Sequence, residues 1–300
     1  MYAITGATGQ LGRLVIDALL ETVPPDQIVA AVRSPVRAHD LAERGVVVRE
    51  ANYSRPETLA TAFAGVDKVL LISSTEVAGR LPLHRAAVEA AQRAGVSLLA
   101  YTSMLRADTS PAGLAIEHRQ TEEVIKAAGV PAVILRNGWY AENHLTALPA
   151  AIEHGAFIGA AKDGRFSSAA RSDYAAAAAV VLSTEGHAGK TYELAADHAF
   201  TLKELAAEVS RQSGKTIVYN DLAQDAYAAV LKDIGLPADL AAILADADAA
   251  AARGALFDDS RALARLIGRP TVTLHKLIAA ALPIMMSNIQ TNAALHQTGA

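Results

Sequence analysis

The 300-residue chain contains no cysteine. Disulfides, thiolate nucleophiles, iron–sulfur clusters and cysteine-ligated zinc are thereby excluded, and any redox chemistry must be supplied by a bound group. The same absence is consistent with a reducing cytoplasm, where the protein is expected to reside. An excess of positive charge is also missing. With 27 Lys+Arg against 31 Asp+Glu the net charge is −4, so the whole-molecule field does not attract nucleic acid or an anionic membrane, and neither is expected as a partner. The start, Met1-Tyr2-Ala3-Ile4-Thr5-Gly6, does not read as a signal peptide. The most apolar runs, Tyr174 to Leu182 and Leu277 to Met286, fall short of the ~20 residues that span a bilayer as a helix. The histidines show no H-x-x-x-H or H-E-x-x-H spacing, so no metal is expected.

What is present is apolar side chain. Hydrophobic residues make up 52% and charged residues 19%, enough to bury a substantial core. Short β-branched runs alternate with longer Ala/Leu-rich segments, the pattern of βαβ units on a parallel sheet. Strands are expected at Tyr2–Thr5, Gln27–Val32, Val46–Glu50, Lys68–Ile72, Leu98–Tyr101 and Ala132–Leu135, with helical spacing in segments such as Leu11–Glu21 and Leu81–Ala94. Their near-continuous apolar character suits strands buried on both faces. After Arg136 the rhythm changes to longer connections, a strand at Thr191–Leu194 and Ala-rich helices from Thr201 to Leu282. The expected fold is a doubly wound α/β parallel sheet over 1–135, then a smaller, mainly helical lobe over 136–285 with segments free to return to the sheet. Residues 286–300 read as a frayed tail.

The strongest chemical signal is Thr5-Gly6-Ala7-Thr8-Gly9-Gln10-Leu11-Gly12, between the first strand and the first helix. A pyrophosphate can rest on a helix N-terminus only where the turn is tight and the backbone uncovered. Gly6 serves the turn, Gly9 the approach of the phosphates and Gly12 the helix-to-sheet packing. The second strand ends in Ala31-Val32-Arg33, with guanidinium where a carboxylate would otherwise accept from an NAD ribose. Arg33 suits a 2′-phosphate, so NADPH is the expected cofactor; the alternative is a solvated surface charge. Arg37, one turn on, is a second candidate for that role.

The later strands should end on the same crevice. Ser73-Ser74-Thr75, Tyr101-Thr102-Ser103 and Asn137-Gly138-Trp139-Tyr140 fall there. Small hydroxyls and an amide suit ribose and carboxamide contacts, although Ser and Thr after a strand serve equally as helix caps.

The runs TGATGQLG, AAVR at Arg33, LLISS at Ser73, YTS at Tyr101 and LRNGWYAEN from Leu135 to Asn143 resemble the NmrA-like, atypical branch of the short-chain dehydrogenase/reductases, and within it the reductases of quinones and triphenylmethane dyes. The likeness runs to about Leu274. It implies a Rossmann-type domain, NADPH in the cleft and hydride transfer to a small-molecule quinone or conjugated dye. By position, the cofactor contacts it implies are Gly6, Ala7, Thr8, Gly9, Gln10 and Leu11 on the loop, then Arg33, Ser73, Ser74 and Thr75. Asn137, Gly138, Trp139, Tyr140, Ala141, Glu142 and Arg171 complete the set. One departure is Ala51-Asn52-Tyr53, where relatives commonly carry Asp beside the Tyr.

No Tyr in the chain is followed four positions later by Lys, so the Tyr–Lys acid/base pair of typical short-chain dehydrogenases is missing. Quinone reduction does not require it, because solvent or a weak donor can protonate the hydroquinone anion. Tyr140 and Asn143 are the expected catalytic residues, Asn143 as a donor to the acceptor's oxygen. Trp139 has two readings, a packing anchor between lobes or a direct contact with the acceptor. His118 is either a proton donor or rim decoration. The competing function is an NADP(H)-binding redox sensor without turnover. A homodimer is the assembly considered.

Overall fold

The structure, a computed structural model, describes residues 1–74 and 79–283. Thr75 and the 286–300 tail lie outside the described residues.

Seven strands form one parallel sheet: β1 (Tyr2–Thr5), β2 (Ile28–Val32), β3 (Val47–Glu50), β4 (Lys68–Leu71), β5 (Leu98–Met104), β6 (Ala132–Asn137) and β8 (Thr191–Leu194). Their order is β3-β2-β1-β4-β5-β6-β8. The winding therefore runs outward in opposite directions from β1 and from β4, and the crevice opens between them at the carboxyl ends. The central strands are apolar because helices cover both faces: all five residues of β2 are buried. Helix α1 (Gln10–Leu20) buries Leu11, Val15, Ile16 and Leu19 on one stripe and packs with α8 (Arg171–Ser183) on one face. Helices α3 (Pro56–Ala62), α4 (Arg80–Arg93) and α5 (Gly113–Ala128) cover the other, while the short α2 (His39–Glu43) precedes β3.

Two strands run further than the sequence predicts. β5 continues past Tyr101 to Met104 and β6 past Leu135 to Asn137, paired as Ser103↔Arg136 and Met104↔Asn137. Polar residues read as strand ends, but here they are satisfied inside the fold. Arg136 bonds Glu122 through Nε at 3.0 Å and Nη2 at 2.7 Å, and Glu193 through Nη1 at 2.8 Å, while Ser103 Oγ donates to Glu122 at 2.5 Å. A buried charge with its donors satisfied can sit in a sheet that an isolated one would break. Asn137 is thereby held at the crevice by strand geometry, not by a loop.

The C-terminal part contains α6 (Ala141–Leu145), α7 (Leu148–His154), α9 (Leu202–Ser213), α10 (Gln224–Asp233), α11 (Ala238–Ala251) and α12 (Ala262–Ile267). The strand expected at Thr191–Leu194 is β8, which joins the main sheet beside β6. A two-stranded parallel sheet of β7 (Ala156–Gly159) and β9 (Val218–Asp221) was not legible, because each is four residues long and finds its partner some sixty positions away. This part has its own core, built around Phe157, Phe166, Phe200, Leu205, Val209 and Leu256.

Candidate active site

Gly6 adopts φ +60, a left-handed conformation that a Cβ would strain, and its carbonyl accepts the Gly9 N–H at 2.8 Å, closing the turn. Helix α1 then starts without a side-chain cap and without an acidic residue in its first turn. Its first N–H groups and positive dipole end therefore face the crevice, an arrangement suited to a phosphate. A Cβ on Gly12 would stand 2.4 Å from the Gly6 carbonyl oxygen and 2.7 Å from Ala7 Cα, so only glycine lets the helix pass this close to the loop.

The crevice is a cleft of about 850 Å³. Gly6, Thr8, Gly9, Gln10, Leu11 and Gly12 form its floor; Arg33, Asn52, Tyr53 and Ser54 form one end; Ser73, Ser74, Asn137 and Gly138 lie at the middle. Met104, Leu114, Trp139, Leu240, Ile243 and Leu256 give the far end an apolar wall, with Tyr140, Asn143 and Arg171 beside it. Two buried polar atoms of the middle residues lack any hydrogen-bond partner, Ser74 Oγ and Asn137 Oδ1. Orphaned buried acceptors are costly unless a ligand completes them. Together with the uncapped helix they fit the ribose and amide groups of a dinucleotide whose pyrophosphate rests on α1.

Not every expected contact reaches the cleft. Ala7 is fully buried beneath the loop and belongs to the core, and Ala141 is likewise packed inside. Glu142 turns away to cap α8, accepting the Arg171 N–H at 2.9 Å. Of Tyr101-Thr102-Ser103 only Ser103 lines the cleft. Thr102 Oγ1 accepts the Ser73 N–H at 2.9 Å, and Thr5 Oγ1 accepts that of Ile72 at 3.0 Å, so these hydroxyls hold the loop after β4 in place. Trp139 packs against the C-terminal core and also lines the cleft. Leu240 and Ile243 were missed because two apolar residues one turn apart on an Ala-rich helix look like ordinary packing.

Arg171 organises the far end of the cleft. Its guanidinium lies 4.9 Å above the Tyr140 ring, and Nη2 donates to Asn143 Oδ1 at 2.8 Å. With its carbonyl occupied in this way, the Asn143 amide presents its NH₂ as the remaining donor. Tyr140 packs edge-on against Tyr174 at 5.3 Å, and burial raises its pKa, so it remains a protonated phenol instead of becoming a low-pKa acid.

His118, Tyr101 and His84 form a buried chain that meets the cleft at His118. The Ser74 N–H donates to His84 Nε2 at 3.1 Å, leaving Nδ1 to donate to Thr121 Oγ1 at 3.1 Å. His118 Nδ1 meets Tyr101 Oη at 2.8 Å. Desolvation, with the Arg80 charge adding to it, holds His84 and His118 down at about 3, and burial alone holds His144 at about 4. His118 is thus neutral and not a charged proton donor.

These three imidazoles set an acid limit on stability. An unfolded histidine titrates near ~6.5, so from there down to about pH 4 the unfolded chain binds protons that the fold excludes. The contribution is complete above ~6.5 and is lost as pH falls, by roughly 1 kcal/mol per pH unit for each histidine. Asp248, pushed up to about 6 by burial, opposes this because it takes its proton first in the fold. Melting temperature should therefore fall steadily between pH 7 and 4.5, because the depressed histidines, with His187 shifted the same way, outweigh the one raised carboxylate. A flat profile would mean that the imidazoles are charged in the native state.

Among the described residues no helix is long and apolar enough to cross a membrane, and no cluster of metal-ligating side chains occurs. The profile of an NAD(P)H-binding family matches residues 6–185. Quinone oxidoreductase 2 of Escherichia coli K12 is 56% identical over 279 residues, covering 93% of this chain and 98% of that protein. The crystal structure of the NADPH-dependent E. coli quinone oxidoreductase complexed with NADPH superposes with a TM-score of 0.93 at 55% identity, covering 94% of this chain and 100% of that one. Triphenylmethane reductase of Citrobacter sp., solved with NADP(H), gives a TM-score of 0.90 at 39% identity, covering 94% and 100%. The chain belongs to this NAD(P)H-binding family.

Proposed function

We propose that the protein is an NADPH-dependent reductase of quinones and related conjugated acceptors, acting in the cytoplasm. The observation that carries the reading is the far end of the cleft. It is an apolar and aromatic wall with an oriented amide donor, Asn143, and with Tyr140 held as a protonated phenol by burial. Such a wall suits a flat, electron-poor ring that needs positioning more than proton transfer. The resemblance to a quinone oxidoreductase at 56% identity supports the same acceptor class. Residues 1–135 supply the nucleotide half of the site, and residues from 136 onward supply most of the acceptor wall.

NADPH would rest on α1, with Arg33 on its 2′-phosphate and Ser74 and Asn137 on the nicotinamide half, and it supplies the hydride. Asn143 donates to the acceptor oxygen as negative charge develops there, an interaction stronger in the transition state than in the ground state. Arg171 positions that amide. Tyr140 fills the wall and keeps its proton. The direct test is optical: NADPH oxidation with a benzoquinone or naphthoquinone should be rapid and enzyme-dependent. Tight NADPH binding without turnover of any such acceptor would identify a sensor instead.

The same wall predicts how two side chains divide the work. Asn143→Ala should lower kcat about 100-fold, the lower end of the range for removing one oxyanion donor, with the Kd for NADPH little changed. Tyr140→Phe should cost only a few-fold, because no obligatory proton passes through the phenol. Should Tyr140→Phe remove several orders of magnitude from kcat at unchanged NADPH affinity, Tyr140 would be the acid and the donor-free scheme would be wrong.

A further inference from the structure

Arg80 opens α4 and is 4% exposed, yet it forms part of the cleft wall beside His118. Its charge is poorly matched. Nη1 lies 3.4 Å from His118 Nε2 and 3.6 Å from Glu117 Oε2, and neither Arg80 Nε nor Glu117 Oε2 has a hydrogen-bond partner. A guanidinium withdrawn from water normally has its donors satisfied, because desolvating an ion is costly. The neighbouring imidazoles add no charge of either sign, being held neutral. Arg80 and His118 line the cleft while Glu117 does not, so the ion pair presents its positive end to the ligand.

Position separates this cation from those that serve the nucleotide. The phosphates are served by α1, and the 2′-phosphate by Arg33 on the β2 side of the switch point. Arg80 follows β4, meets α5, and shares its stretch of wall with Leu83, Leu114 and His118. It therefore stands over the β4–β5 half, in the same cleft as the apolar wall of Met104, Leu114 and Trp139 and away from Arg33 on the β2 side.

We propose that Arg80 selects acceptors by charge, favouring neutral ones on which negative charge develops and disfavouring those that are already cationic. The inference rests on the reductase reading. A neutral quinone receives a hydride from NADPH, which leaves as NADP⁺; the resulting hydroquinone monoanion holds its charge on oxygen until it takes a proton from solvent. A cationic triphenylmethane dye receives the same hydride at its central carbon and becomes neutral, so no anion forms. A fixed positive charge lowers the barrier of the first reaction and opposes binding of the second substrate.

The test compares kcat/KM for 1,4-benzoquinone and for a cationic triphenylmethane dye, both with NADPH, in the wild type, Arg80→Met, Arg80→Lys and Glu117→Gln. Arg80→Met should lower the quinone-to-dye ratio by about tenfold or more, part of the ~100-fold cost of a lost oxyanion donor, with the NADPH Kd unchanged. Arg80→Lys should keep most of the preference. Glu117→Gln removes the opposing carboxylate and should raise the ratio, which gives an independent reading if Arg80→Met does not fold. Equal losses on both acceptors, a ratio unmoved in Glu117→Gln, or an NADPH Kd that weakens in step with activity would each overturn the assignment. A wild type that turns over neither acceptor removes the reductase reading itself; a wild type that reduces quinone with a ratio insensitive to Arg80 and Glu117 removes only this inference.

Discussion

Gly9→Val is expected to abolish useful NADPH binding while leaving the protein folded. Gly9 has φ −78 and ψ 168, an extended conformation open to any residue, so the substitution carries no backbone strain. The Cβ would stand 3.1 Å from the Gly6 carbonyl oxygen, a tight contact that a small shift relieves. The branched methyls, however, would project into the space above the uncapped start of α1, where the pyrophosphate must sit. Losing two charge-assisted hydrogen bonds to backbone N–H groups, at ~1.5–3 kcal/mol each, weakens Kd by roughly 100- to 10,000-fold. Gly12 is the instructive contrast. There even Ala would drive Cβ to 2.4 Å from the Gly6 oxygen, so Gly12→Ala should shift α1 and lower the melting temperature together with affinity. Calorimetric titration with a parallel thermal melt separates the two cases. If Gly9→Val retains wild-type affinity, the glycine loop is only a structural turn.

The difference between those glycines also marks how far the sequence could be read. The spacing of Gly6, Gly9 and Gly12 between a strand and a helix carries its own physics, because close backbone approach and a positive φ leave few alternatives. Strands buried on both faces are equally legible, and β2 lies within one residue of its predicted bounds. Polar residues are where periodicity stops. Ser103 and Arg136 read as strand ends until Glu122 and Glu193, from elsewhere in the chain, are seen to satisfy them. Thr102 reads as a ribose contact but holds the Ser73 N–H, since a hydroxyl after a strand looks the same in either role. Arg80 gave no local signal, and its importance comes from a cleft wall and a histidine 38 positions away. The partition of Arg171 between Asn143, Glu142 and Tyr140 is likewise tertiary. Sequence spacing thus reaches the glycine-loop end of the cleft, whereas the arrangement of the far end depends on long-range pairing.

Arg33→Asp should weaken NADPH by at least about 100-fold and leave NADH within a few-fold of the wild type. Arg33 follows the buried β2 and stands exposed at the end of the cleft shared with Asn52 and Ser54. A 2′-phosphate placed there meets a guanidinium able to clamp it through charge-assisted hydrogen bonds of ~1.5–3 kcal/mol each. The substitution removes those bonds and sets a carboxylate against a dianionic phosphate, so repulsion adds to the loss. NADH has no such phosphate, and the new carboxylate can accept from its ribose hydroxyls, which works in NADH's favour. Arg37, the other candidate, is not on the cleft wall; its carbonyl instead accepts from Arg13 Nη2 at 3.4 Å beside Asp40. Arg37→Ala should therefore leave the ratio of the two cofactors close to the wild-type value. Titrating both variants with both nucleotides decides the matter, because equal weakening of NADPH and NADH in Arg33→Asp would mean that the guanidinium does not serve the 2′-phosphate.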